Sequence, residues 1–301
     1  MNPESAPLLE VENLTVELPD VLEEGRIGLR HVGLTLKRNE IFVLAGESGS
    51  GPLLLASLLA GIAAPRLRLL SGRLVVLGQE VIQSRAGRRR LCDLRRGPVT
   101  VIGDASIVPL EPVHTVRQWL REVRRLATRG SRAWEDCFFH AGLVEPETIL
   151  GRRLASLTPL TRARLGVVRS MLLGSELIIS LEVEKGLDPL SRIAYRELLR
   201  RIRDEGGPSI LCTVGSLRGV ERYANRVAVF YEGGLLESGP PRELLAEPRF
   251  AYTREFHACA PFLEPGRGDV SLGRSISREA VREAEEAVHQ GWESAVVGPT
   301  G

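Results

Sequence analysis

The residues best placed to do chemistry are six in a row, Gly46, Glu47, Ser48, Gly49, Ser50 and Gly51. Their glycine spacing is that of a loop whose backbone N–H groups cradle phosphates where a buried strand turns into a helix. Such a loop continues with a lysine, which spans the terminal phosphates, and a serine or threonine, which binds Mg²⁺. Here the next residues are Pro52 and Leu53. Proline suits the first position of a helix, so Pro52 keeps the helix start while removing a cation and a backbone donor. Leu53 removes the metal ligand. At about 1.5–3 kcal/mol for each lost charge-assisted bond, two or three losses weaken Mg-ATP by on the order of a thousandfold. The only lysines, Lys37 ahead of the strand and Lys185 far along the chain, are not expected to replace the missing ammonium.

Other chemistries find less support. Cys92, Cys137, Cys212 and Cys259 are scattered with no CxxC pair, which speaks against a zinc site, an iron–sulfur site or a disulfide framework. His31, His114, His140, His257 and His289 suggest no ligand cluster, so no metal site is expected. With 40 Lys+Arg against 38 Asp+Glu the net charge is +2, too balanced for a nucleic-acid binder on electrostatics alone. The arginine run from Arg88 to Arg96 has no interleaved aromatics and reads as a solvated face. The first residues lack the charged and apolar regions of a signal peptide, and no apolar run reaches the roughly 18 residues of a membrane helix. Any membrane role is expected to be peripheral, in a reducing cytoplasm.

The 301 residues, 43% of them hydrophobic, suffice for one large core or a core plus a subdomain. Around residues 8–18 and 27–37 apolar and polar residues alternate, as in half-buried antiparallel strands, whereas residues 40–45 form the continuous apolar run of a buried parallel strand. After the glycine loop and its helix, residues 72–81 read as a strand, the arginine run leads to an apolar strand near 98–103, and Thr115 to about Gly142 turns helical. Then follow a helix from about Thr161 to Leu173, a strand at 176–181, a helix from about Pro189 to Asp204, a strand at 209–215 and a hairpin-like stretch at 226–239. Strands alternating with helices imply a parallel sheet covered on both sides. Near the C-terminus Val281, Ala284, Val288 and Trp292 share one helical face opposite an acid-rich one, a pattern for packing on the parent domain rather than on a membrane.

The order of five stretches carries a resemblance. The glycine loop; residues 99–116, with Leu110, Pro112, Val113, Thr115 and Val116; residues 156–164, with Leu157, Arg162 and Arg164; residues 176–188, with Glu182, Leu187 and Asp188; and residues 209–220 fall where the ATP-binding subunits of ABC transporters place their motifs. The sequence around residues 247–264 resembles the tail of the branch serving oligopeptide, dipeptide and nickel importers. The resemblance runs from about Leu8 to Leu263. It implies an α/β fold, a P-loop NTPase-like ABC nucleotide-binding domain with a parallel core sheet, an N-terminal antiparallel β subdomain and an inserted helical subdomain. That domain is expected over 1–263, with the helical subdomain at about 104–173 and a C-terminal tail with a short amphipathic helix at 264–301.

Against that family's pattern every nucleotide motif departs. Asp104 stands for the Q-loop glutamine, Thr158, Pro159 and Leu160 for the signature Ser-Gly-Gly, Leu181 for the metal-binding aspartate and Val214 for the switch histidine. Thr158 with Pro159 is a good N-cap and first turn, so the signature helix is expected to begin there without its phosphate-binding amides. Glu182 occupies the general base position, yet without a held nucleotide it reads as a solvated carboxylate after a buried strand. No aromatic residue precedes Phe42, so the N-terminal strands lack an adenine-stacking group. Leu187 and Asp188 fall in the dimer D-loop. The resemblance thus implies a catalytically impaired pseudo-ATPase of a peptide-type importer, with no cofactor expected and ATP and Mg²⁺ relevant only if residual binding survives. Implied partners are a second ABC ATP-binding subunit, as a heterodimer, and membrane permease subunits at the inner face of the cell membrane, with no nucleic acid and no insertion into the bilayer. The alternatives are a free-standing adaptor or regulator on the same fold, and a weakly active ATPase.

Overall fold

The computed structural model describes residues 6–18, 26–62, 67–81, 85–103, 114–127, 132–259 and 275–289. In chain order the elements are β1 (Leu9–Leu18), β2 (Arg26–Leu36), β3 (Ile41–Ala45), α1 (Pro52–Leu59), β4 (Arg68–Val76), β5 (Gln79–Glu80), α2 (Arg85–Leu94), β6 (Val99–Gly103), α3 (Val116–Leu126), α4 (Trp134–His140) and α5 (Glu147–Leu150). They continue with α6 (Pro159–Leu173), β7 (Leu177–Leu181), α7 (Pro189–Asp204), β8 (Ser209–Val214), β9 (Arg226–Tyr231), β10 (Gly234–Gly239), α8 (Pro241–Ala246), α9 (Ala251–Ala258) and α10 (Arg278–His289).

The strands lie in the order β5-β4-β1-β2-β10-β9-β3-β8-β7-β6. From β9 to β6 neighbours run parallel, and β3, β7 and β8 are buried at every residue, as a parallel sheet covered on both faces requires. At the other side β1, β2, β4 and β5 pair antiparallel. The two halves meet at a single residue pair, Gly234 of β10 with Arg30 of β2, reinforced by the Arg30 N–H donating to Gly233 O at 2.8 Å. Alternation along β3 divides the core in two: Ile41, Val43 and Ala45 join one buried cluster, Phe42 and Leu44 the other. The first cluster collects α3, α4, α6 and α7, and the second joins α1 to strands of both halves.

Some elements differ from the sequence expectation. The arginine run is helix α2, with Gly87, Leu91 and Leu94 buried at i, i+4 and i+7 and Arg89 and Arg90 exposed, so its solvated face belongs to an amphipathic helix. The strand expected at residues 72–81 starts earlier, at Arg68, and folds back at Leu77–Gly78 into β5. As the two helical segments read from Thr115 onward imply, α3 and α4 are separate helices, the first opened by a capping box between Thr115 and Gln118. Helix α6 starts at Pro159, as the Thr158–Pro159 pair implies, with Thr158 capping it through the Thr161 N–H at 3.2 Å. Helix α10 packs on α9, β9 and β10, burying Ala280 and Ala284; Trp292 lies outside the described residues, as do Asp104, Leu110, Pro112 and Val113.

Candidate functional site: the glycine loop and its cavity

The loop leaves β3 at Ala45, and the Gly46 N–H reaches Val214 O on the neighbouring β8 at 3.4 Å. Ser50 then closes it, its N–H and its hydroxyl both donating to Glu47 O at 3.0 and 2.8 Å. A Cβ on Gly46 would stand 2.2 Å from Ser50 Oγ, and Gly51 sits at φ +118°, a left-handed position that glycine alone takes without strain. Ser50 O in turn accepts from Gly233 in the turn between β9 and β10 at 2.9 Å. Helix α1 follows with Pro52 at its first position, no side-chain cap and no acid in its first turn. The loop's own carboxylate is engaged elsewhere. The Tyr252 hydroxyl on α9 donates to Glu47 Oε2 at 3.0 Å, and the fully buried ring meets Tyr231 edge-on at 4.8 Å. Burial first, and the Glu47 charge second, hold the Tyr252 hydroxyl well above its ordinary pKa.

A cavity of about 420 Å³ opens beside the loop. Gly46, Glu47, Ser48, Gly49, Gly51, Pro52 and Leu53 line it, together with Glu182, Lys185, Thr213 and Val214. The rest of its wall is largely hydrocarbon, from Leu18, Leu54 and Ile62. Ser50 is buried beneath the loop, and Leu181 is fully buried in the second core cluster. Pro52 offers no amide proton, Leu53 no hydroxyl and Leu181 no carboxylate, so the positions that would hold a nucleotide's phosphates and its cation do not fit them.

Two expectations need correction. Glu182 is only partly solvated: its side chain is 21% exposed and lines the cavity, on a left-handed backbone at φ +46° whose N–H donates to Thr213 Oγ1 of β8 at 2.9 Å. Nor is Lys185 remote from the loop. A single 3₁₀ turn over Val183–Gly186 carries it back to the cavity, with Nζ 3.5 Å from Glu182 Oε2. Both are invisible to motif spacing, since a four-residue turn reverses the chain by an amount no periodicity records.

The remaining positions lie elsewhere. Thr158, Pro159 and Leu160 start α6 and do not line the cavity. Leu187 is buried, and Asp188 caps α7 by accepting from Leu190 and Ser191 N–H groups at 3.0 Å each. Bonds from the Ser191 side chain and backbone hold the Asp188 carboxyl below its ordinary pKa. Behind the turn, Arg196 grips Glu184 with two prongs at 2.5 and 2.7 Å and donates to Arg218 O at 2.6 Å, tying the turn to the loop after β8. Glu184, Arg196 and Tyr252 belong to the site's framework and carry no motif signal. Tyr252 and Glu47 are 205 residues apart. Among the described residues no group of three or more His, Cys, Asp or Glu can hold a metal ion, and no helix is long and apolar enough to cross a membrane.

Comparison with known proteins places this geometry. No family model matches the chain. The chain is 30% identical over 285 residues to the "Probable peptide ABC transporter ATP-binding protein y4tS" of Sinorhizobium fredii, covering 89% of this chain and 76% of that protein. It is 28% identical to the peptidoglycan transport ATP-binding protein YejF of Agrobacterium fabrum, over 88% of this chain but 49% of YejF, so it spans about half that relative's length. The nickel import ATP-binding protein NikD of Rhodospirillum rubrum is 27% identical, with 83% and 94% covered. Among solved structures, CbiO1 of Clostridium perfringens, part of the ABC transporter complex cbiONQ, superposes with a TM-score of 0.63 at 21% identity, over 80% of this chain and 91% of that one. That last likeness is one of fold.

Proposed function

The chain belongs to the ATP-binding proteins of ABC transporters, and from that premise we propose that it is a catalytically impaired member serving a peptide-type importer as a structural or coupling subunit. One observation carries the reading: Pro52 and Leu53 occupy the helix start where a lysine and a hydroxyl would hold a nucleotide. The glycines are accounted for by the fold, through the Ser50 closure and the contact of Gly51 with the β9–β10 turn. The Glu182 carboxylate has a lysine for company and no metal ligand beside it. In this reading residues 1–263 form the nucleotide-binding-type domain and 264–301 its tail. It pairs with a second ATP-binding subunit beneath membrane permease subunits, peripheral to the membrane on its cytoplasmic face, and neither ATP nor Mg²⁺ is a working cofactor.

Calorimetric titration with Mg-ATP tests it: the expected result is no binding at micromolar concentration, and micromolar affinity would overturn the proposal. Restoring Pro52→Lys with Leu53→Ser should recover weak binding without turnover, since the signature and switch positions remain changed. Steady hydrolysis by that double variant would defeat the reading. Copurification with permease subunits separates the transporter subunit from a free-standing adaptor on the same fold. A second reading, a weakly active ATPase, draws on Lys185, whose ammonium reaches the same cavity. It requires a weak Mg-ATP affinity that Lys185→Gln abolishes, and binding unchanged in that variant would remove it.

A further inference from the structure

At the same edge of the parallel sheet as the glycine loop, where β6 ends, a cavity of about 70 Å³ lies between that strand, α6 and α3. Among the described residues its charged lining groups are two arginines, Arg162 and Arg169, seven residues apart on one face of α6, and no acid lines it. Trp119 of α3 adds an indole, which can only donate. Arg169 is held from behind by uncharged oxygens: its Nη1 donates to Thr100 Oγ1 at 3.0 Å and its Nη2 to Arg95 O at 2.7 Å. Thr100 Oγ1 is itself 2.9 Å from Ser175 Oγ, so the guanidinium is fixed in place rather than free to swing out to water. Burial first, and the charge of Arg95 second, push Arg169 below its ordinary pKa. Among the described residues no carboxylate pairs with Arg162 or Arg169. A guanidinium withdrawn from water beside another cation and without an anion is among the costlier states in a folded chain.

We propose that this cavity binds one small oxyanion, of the class of inorganic phosphate and short carboxylates, between Arg162 and Arg169. Guanidinium forks match the paired oxygens of such groups. The volume admits one oxyanion group and excludes a nucleotide. A cation would meet two like charges, and an uncharged molecule would leave the charge of Arg169 unanswered. The anion joins the start of α6 to its middle and both to the end of β6. The site shares no residue with the glycine-loop cavity and does not depend on whether nucleotide is bound there.

The test is thermal melting of the full chain in sodium phosphate and in sodium acetate, each against sodium chloride at the same ionic strength, with tryptophan fluorescence as a second readout. The expected result is a melting temperature that rises with phosphate or acetate beyond the chloride series, and a change in emission that Trp119→Phe abolishes. Arg162, only partly buried, can be changed without unfolding the chain, and Arg162→Gln should weaken the apparent affinity by at least about tenfold, one charge-assisted contact's worth. Arg169→Gln should abolish the anion effect; if that variant does not fold, Arg162→Gln still decides. Equal shifts in the three salts, or none, overturn the proposal. A phosphate shift that survives Arg162→Gln belongs to the glycine loop and overturns it as well. Asp104 follows Gly103 in the chain, and an anion effect seen only in Asp104→Asn would assign the cavity to the chain's own carboxylate, again overturning the proposal.

Discussion

Helices α1 and α7 both open on a proline, Pro52 and Pro189, yet they answer their free N-terminal N–H groups in opposite ways. At α7 the chain supplies its own anion, Asp188, which accepts from the second and third residues of the helix. At α1 the preceding residue is a left-handed glycine with no side chain, and the loop's own carboxylate, Glu47, accepts from Tyr252. The comparison separates a helix start that is complete in itself from one shaped for an acceptor from outside. Pro52 has subtracted a donor from the second kind without converting it to the first, so the loop retains the geometry of anion binding and little of its chemistry.

The largest effect should come on the α7 side. Arg196 and Glu184 have side chains 15% and 12% exposed, so Arg196→Met strands a buried carboxylate and should cost about 3–5 kcal/mol in denaturant unfolding. A loss below about 1 kcal/mol would show that water reaches Glu184 and that this side is not the rigid one. On the α1 side Gly51→Ala forces a Cβ to within 3.2 Å of Leu29 Cδ2 at φ +118°, for an expected loss of about 1–3 kcal/mol by thermal melting. A neutral result would mean that the loop relaxes and its glycine is a relic. Smaller still, Tyr252→Phe removes the donor from Glu47 and should cost about 1–2 kcal/mol, with faster amide exchange confined to residues 46–51. The subtlest effect is one of pH. The Asp188 carboxyl titrates below its ordinary value of 3.8, so its contribution is complete above that value and fades as pH falls through the depressed one. The gap in melting temperature between the wild type and Asp188→Asn should therefore hold steady from neutral pH and close below about pH 4. A gap that persisted at lower pH would assign the capping to something other than the charge.

Helix α7 was legible at both ends, because an Asp-Pro start and a Gly-Gly-Pro stop bracket a clear helical period. Strand β3 was legible because both its faces are buried and its apolar run is unbroken. Helix α2 reads only as a solvated basic run, although its buried positions 87, 91 and 94 keep helical spacing between the exposed arginines. At the candidate site the loop and the substitutions at Pro52 and Leu53 stand in the sequence itself. The arrival of Lys185, the partly solvated Glu182 and the Tyr252–Glu47 bond depend on a short turn and on contacts distant along the chain, which local spacing does not encode.

The seam between β10 and β2 has a mechanical consequence. Ten strands side by side suggest a stiff plate, but a plate is only as stiff as its weakest joint, and here the backbone joint is one residue pair and one flanking N–H bond. What clasps the halves is the second core cluster, where Leu9, Leu29 and Leu36 from one half meet Phe42, Leu44 and Phe230 from the other around α1. Apolar contact is non-directional, so it resists separation while tolerating a small change of angle. Side-chain packing around the glycine-loop helix, more than strand pairing, is what makes one body of the two halves.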